Sequence, residues 1–243
     1  MSFEQSLEEQ GNFLFKYRGQ FPVILFLIAI PFVKFPSPYF DNNLFIFLSI
    51  IFFLLGYIIR FYTIATTPKN TSGRNTKKQI AETLNTKGVY SLVRHPLYLG
   101  NFFIWLGISI YTFNVYFLII MILFFYIFYK RIMFAEECFL KNKFGEKYDL
   151  WANKVDSFFP KKFNYIKSPE SFSFKSILRR EYSSVLSGIT GYLFIDLLKN
   201  YYNFNSIKIN DNLYVLSFVL IVIILILRTL KHYTSLLNEK DRS

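Results

Sequence analysis

The sequence has one cysteine, Cys138, and two histidines, His95 and His232. A single thiol excludes an intrachain disulfide and any multi-cysteine metal site. Two imidazoles far apart in the chain argue against a histidine metal cluster. The ten glycines never fall as G-x-G, so the glycine-rich fingerprint of a Rossmann-type nucleotide domain is absent. Charge is scarce at 18% of residues, where a soluble domain carries about 25%. Acids are the scarcer sign: 16 against 28 Lys and Arg, a net charge of +12. What is abundant is apolar. Hydrophobic residues make up 53% of the 243 positions, aromatics 21%, and Phe alone counts 31. Disorder needs low hydrophobicity and is excluded; a water-soluble globule is disfavoured. The composition predicts an integral membrane protein, all-α, built as a polytopic bundle.

A crossing helix needs roughly 20 mostly apolar residues. Six segments qualify to different degrees: 21–33, interrupted by Pro22 and Pro31; 44–64, with Arg60 expected to snorkel to the interface; 97–112; 115–134; 182–198; and 213–227. The stretch Pro96 to Tyr129 carries no charge. As one helix it would be about 51 Å long, more than a bilayer core, so it must fold back at Thr112-Phe113-Asn114. The segment 182–198, with Gly188, Gly191 and Asp196, reads either as a span or as a helix lying on the surface. Six spans put both termini on one side. On that arrangement all but Lys34, Lys199 and Lys208 of the 28 basic residues fall on one face, which the positive-inside rule assigns to the cytoplasm. The first twenty residues are polar and do not form a cleavable signal pattern. Phe163 to Lys175 reads as a surface linker. Three regions follow: 1–65, an N-terminal hairpin; 66–162, a core; and 163–243, the linker with a C-terminal pair.

Two polar segments flank the folded-back hairpin, 68–101 and 130–160. The topology brings them together at the inner membrane surface. They contain Gly88-Val89-Tyr90, then Arg94-His95-Pro96-Leu97-Tyr98-Leu99-Gly100, then Glu136-Glu137 and Phe144-Gly145-Glu146-Lys147-Tyr148. In that order and spacing, over residues 82–160, they resemble the isoprenylcysteine carboxyl methyltransferase family. Phospholipid N-methyltransferases share the RHPxYxG and EE signature. The resemblance implies a membrane-embedded methyltransferase that uses S-adenosylmethionine (AdoMet) and methylates a lipid or lipidated acceptor. It also implies a cofactor site made of Glu82-Thr83-Leu84-Asn85, Tyr90, and His95-Pro96-Leu97-Tyr98 with Gly100. Glu82 departs from the histidine common at that place. Glu136 is the implied carboxylate contact, and Arg131 matches an arginine near the acceptor, so these two are the catalytic candidates.

The residues support the same chemistry. AdoMet has a carboxylate that needs donors, and Arg94 and His95 stand at a helix start where backbone N–H groups favour anions. Its amino group and hydroxyls need acceptors, which Glu136 and Glu137 supply. Tyr90 and Tyr98 offer rings to adenine or to the sulfonium. Acids that continue a membrane helix are costly unless they serve a site. Plainer readings exist for single residues: Arg94, Pro96 and Arg131 as interface anchors, Cys138 as packing, and Ser72-Gly73-Arg74-Asn75 as a turn or a lid. Asn70-Thr71-Ser72 fits a glycosylation acceptor, expected to be silent on the inner face. The basic charge reads as topology and lipid adhesion, not nucleic-acid binding.

Two competing functions have to be weighed. Sterol-type reductases, which use NADPH, share an RHPxYxGE pattern, but here Asn101 follows Gly100. A transporter or scaffold needs polar groups along its path, and the spans hold almost none beyond Asp196.

Overall fold

The computed structural model describes residues 2–37, 42–68, 71, 79–209 and 211–239. The Ser72–Asn75 turn and most of the Asn70 sequon lie outside the described residues. Eight α-helices are described: α1 Phe3–Tyr17, α2 Phe21–Val33, α3 Asn42–Ala65, α4 Pro96–Ile110, α5 Val115–Phe144, α6 Glu146–Ala152, α7 Phe174–Phe204 and α8 Asp211–Tyr233. Among the described residues no strand forms beyond two isolated bridges, Gly88 with Ile166 and Val93 with Asp156.

Three helices are long and apolar enough to cross a membrane: Asn43–Ala65, Val115–Phe144 and Asp211–Tyr233. Two shorter apolar ones, Val23–Val33 and Pro96–Ile110, complete the set among the described residues. The pattern on α5 shows how they pack. Phe117, Met121, Phe125, Phe128 and Ile132 are buried, whereas Tyr116, Ile119, Leu123, Tyr126 and Ile127 are exposed. Inward residues spaced by three and four make one stripe of a helix. The outward residues are as apolar as the inward ones, a surface suited to lipid. We read the chain as an integral membrane protein.

All six expected segments are helical, with differences. Residues 182–198 belong to a longer helix, α7, which packs on α2, α3, α4 and α8 and does not reach the apolarity of the three long spans. Helix packing inside the bundle replaces the surface-lying alternative. The expected linker 163–175 is tied down at several points. Gly88 N donates to Ile166 O, Ser168 Oγ donates to Thr66 O at 2.9 Å, and the Ser173 hydroxyl caps α7. The polar N-terminus is also ordered. Ser2 and Gln5 form a capping box at the start of α1, satisfying two backbone donors reciprocally.

The hairpin turns where the sequence predicts. Phe113 adopts φ 56°, a conformation unusual for a bulky side chain. Asn114 secures it: its carbonyl oxygen accepts from Phe117 N at 3.0 Å, and its amide donates to Phe32 O and Phe35 O. That ties the end of α2 to the turn. At α3–α4, a Cβ at Gly56 would lie 2.6 Å from Gly100 O, and one at Gly107 would lie 2.6 Å from Ser49 O. Small residues there let two backbones touch, the usual device for joining helices in lipid.

Candidate functional site

The residues before α4 are irregular because Gly88 takes φ 63°, after which Val89–Ser91 make one short turn. Arg94 N and His95 N then donate to Asp156 O and Ser157 O. This holds the RHP segment against the chain that leaves α6. Pro96 opens α4, a place where its missing N–H costs nothing.

Across the hairpin, α5 runs unbroken through the acid pair, and the two polar ends meet. His95 lies between the two carboxylates: Nδ1 is 3.4 Å from Glu136 Oε2, and Nε2 is 2.9 Å from Glu137 Oε1. Tyr98 OH donates to Glu136 Oε1 at 2.7 Å. Arg94 makes a two-point pair with Glu137, Nε at 3.0 Å and Nη2 at 3.1 Å, while its Nη1 donates to Ala152 O and Val155 O. Ser157 Oγ donates to Glu137 at 3.1 Å. Thus Glu137 is the hub that fastens the RHP segment and the end of α6 to α5. Trp151 Nε1 donates to Tyr90 O at 3.0 Å. Burial, then the Glu137 carboxylate, pushes the Tyr148 phenol above its ordinary range.

Both ring nitrogens of His95 face carboxylates, and a neutral imidazole has only one N–H to give. Burial opposes the charge on His95, but hydrogen bonds to Glu136 and Glu137 and their charges outweigh it, so its pKa is raised. A raised folded-state pKa contributes stability that is complete below about pH 6.5, the unfolded value, and is lost as pH rises through the folded one. Thermal melts of the purified protein across pH 6 to 9 should therefore fall more steeply for wild type than for His95→Gln. Parallel slopes would contradict the charged imidazole.

Beside this cluster lies a cavity of about 590 Å³, within the size range of small-molecule sites. Thr83, Leu84, Asn85, Tyr90, Arg94, His95, Pro96, Leu97, Tyr98 and Glu136 line it. Glu82 is exposed and Glu137 is turned into its own network; neither is on the lining. Gly100 packs instead against Gly56 and Arg60 of α3. Arg131 is on another face of α5: its Nε donates to Gln10 of α1 at 2.8 Å and its Nη1 to Ile127 O. It borders a shallow groove with Glu9, Gln10, Phe13 and Leu14, away from the cavity.

Several lining residues were not predicted. From α3 and α7 come Tyr57, Arg60, Arg180, Glu181, Ser184 and Gly188. Arg60 does not snorkel. It pairs two-point with Glu181, at 2.7 and 2.8 Å, and donates to Asn101 Oδ1 at 2.5 Å. Glu181 is 2% exposed. An arginine this far along a membrane helix is the available signal, since such a charge requires a partner; the partner lies in a segment with no motif. The cavity continues along α4 to Ile104, Trp105 and Ile108, about 18 Å below Pro96 at 1.5 Å per residue. Its upper end is polar and its lower end apolar.

The cavity suits a polar cofactor at its upper end. Asn85 Nδ2 is buried without a hydrogen-bond partner among the described residues, a donor waiting for an acceptor. The Glu136 carboxylate, bound by one hydroxyl and one imidazole, retains lone pairs for further donors. Among the described residues no group of His, Cys, Asp and Glu is arranged to hold a metal ion.

Residues 44–147 match the model of the phospholipid methyltransferase family. Over 78 residues the chain is 37% identical to protein-S-isoprenylcysteine O-methyltransferase of Schizosaccharomyces pombe, a match covering 32% of this chain and 33% of that protein. The chain thus spans about a third of the length of the curated relative it matches. No solved structure matches.

Proposed function

We propose that this chain, whose residues 44–147 match the model of the phospholipid methyltransferase family, is an AdoMet-dependent methyltransferase that modifies a lipid or lipidated acceptor at the cytoplasmic edge of the membrane. One observation carries the reading. His95, Tyr98 and Glu136 meet at the polar end of a single cavity whose other end is lined by Trp105 and Ile108. A water-soluble donor and a membrane-borne acceptor need such a two-natured space.

AdoMet, when bound, supplies an electrophilic methyl group on a sulfonium. The protein's task is then alignment, which by itself can provide a large share of a rate enhancement. Glu136 accepts hydrogen bonds from the donor's amino or hydroxyl groups while Tyr98 and His95 fix its carboxylate. Asn85 supplies a buried amide donor to the nucleoside. Tyr90 and Tyr98 offer rings to adenine or to the cationic sulfur. Arg94 holds Glu137 and the end of α6, and so keeps the upper wall closed. The apolar end excludes water and receives the acceptor's chain. The acceptor atom is a carboxylate, phosphate or amine. The relative named for an isoprenylcysteine supports the carboxylate, as does the excess of arginine over acid on the lining.

Incubation of membranes containing the protein with methyl-labelled AdoMet, followed by lipid extraction, tests this. Label should enter a lipid or lipidated fraction and fail to do so with Glu136→Ala. Label confined to water-soluble products would contradict the reading.

A further inference from the structure

Below its charged level the cavity becomes a slot between helices. The pair Arg60–Glu181, with the bonded Asn101, forms the last charged layer. From Asn101 to Ile108 the α4 wall runs on for about 10 Å at 1.5 Å per residue. Its inward residues there are Ile104, Trp105 and Ile108. Tyr57 of α3 and Gly188 of α7 face them across the slot. The Tyr57 hydroxyl donates to Ser184 O at 2.8 Å, so its polar atom is satisfied inside the wall.

The slot ends on one contact. Ile108 lines the cavity yet is only 2% exposed, as a side chain at a closed end must be. It lies on Gly191 of α7: a Cβ there would stand 2.8 Å from Ile108 Cδ1. One helical turn further down is a layer of interlocked rings. Phe53 meets Tyr57 and Tyr192 edge-on at 4.9 and 4.8 Å. Tyr192 shares a hydrogen bond with Ser49 at 2.6 Å, and Phe26 packs on both Trp105 and Phe194. Rings held on several sides leave no room for a growing chain, because close-packed interiors resist overfilling.

Such a slot discriminates by length. An acceptor drawn from the bilayer is already out of water, so each methylene that enters gains little from the hydrophobic effect. A chain that is too long must displace Ile108 or the rings, and overpacking costs enough to lower affinity about tenfold or more. We infer that Ile108, seated on Gly191, sets the greatest length of the single hydrocarbon chain that the acceptor carries. The inference rests on the methyltransferase reading and adds to it a specificity-determining pair, of which Gly191 lies outside the matched segment 44–147.

The test uses the full chain in lipid nanodiscs with methyl-labelled AdoMet. The acceptors are single-chain molecules, n-octyl to n-hexadecyl in two-carbon steps, bearing a cysteine carboxylate, a phosphate or an amine. Values of kcat/KM are compared along each series within one variant, so partial loss of folded protein does not imitate the effect. Wild type should hold its rate up to one length and lose about tenfold or more beyond it. Ile108→Ala shortens the side chain at the closed end and should move that limit to longer chains by about one or two steps. Gly191→Ala should move it to shorter chains, since the new methyl is accommodated by pushing the free end of Ile108 into the slot. The double variant should return toward wild type. A wild type with no length limit overturns the proposal: the chain then leaves sideways past Ser187, which lines the cavity and is exposed. So does a limit that Ile108→Ala leaves unmoved, and so does AdoMet binding with no transfer to any single-chain acceptor. Wild-type protein that does not bind AdoMet sinks the methyltransferase reading itself.

Discussion

Glu136→Ala should weaken AdoMet binding by about a hundredfold while the protein still inserts and folds. The carboxylate touches Tyr98 at 2.7 Å and His95 at 3.4 Å and faces the cavity. A hydrogen bond to a charged group is worth about 1.5–3 kcal/mol, and about 1.4 kcal/mol is a factor of ten. Losing one or two such bonds to the ligand gives the stated effect. Glu136→Gln keeps an acceptor for Tyr98 but loses the charge, so its loss should be smaller. Glu137→Ala should behave differently. That residue holds Arg94, His95 and Ser157 together, so its removal lowers the melting temperature as well as affinity. Calorimetric titration beside thermal melts separates the two patterns. Wild-type affinity in Glu136→Ala would remove this residue from the site.

Arg60→Ala should destabilise the protein by about 3–5 kcal/mol, because it leaves a buried carboxylate without its counter-charge. Glu181 is almost completely enclosed, and the guanidinium that serves it also donates to Asn101. The pair joins α3 to α7, through residues 121 positions apart in the chain. Replacing both partners by apolar residues of similar volume, Arg60→Met with Glu181→Leu, should recover most of that loss. Unfolding in graded denaturing detergent gives the comparison. A single mutant within about 1 kcal/mol of wild type would show that this pair bears little of the packing. The bundle built on it would then need another explanation.

The sequence made the hairpin and its acids readable because both are local signals. An uncharged run too long for one crossing has to bend, and Thr112-Phe113-Asn114 is the polar interruption near its middle. The pairing of His95 with Glu136 then follows from the hairpin, since its two arms return to the same face of the membrane. Other features depend on partners that sequence order does not reveal. Arg60 and Glu181 find each other through the tertiary packing of α7. The first helix looked merely polar, yet it buries Gly11 and Phe15 against the bundle. Arg131 could have been judged from spacing. Five residues along a helix turn about 140°, so Arg131 cannot share the face of Glu136, whereas Tyr129, seven residues back, returns to within about 20° of it. Tyr129 lines the cavity and Arg131 does not.

The central claim is that one ligand spans the two ends of the α4–α5 hairpin. Hydrogen–deuterium exchange of the protein in nanodiscs, with and without saturating AdoMet, tests it most directly. The account predicts slowed exchange in two separate stretches together, about 80–98 and 129–140, with α8 unchanged. AdoMet that binds while protecting only one of those stretches, or neither, would contradict it.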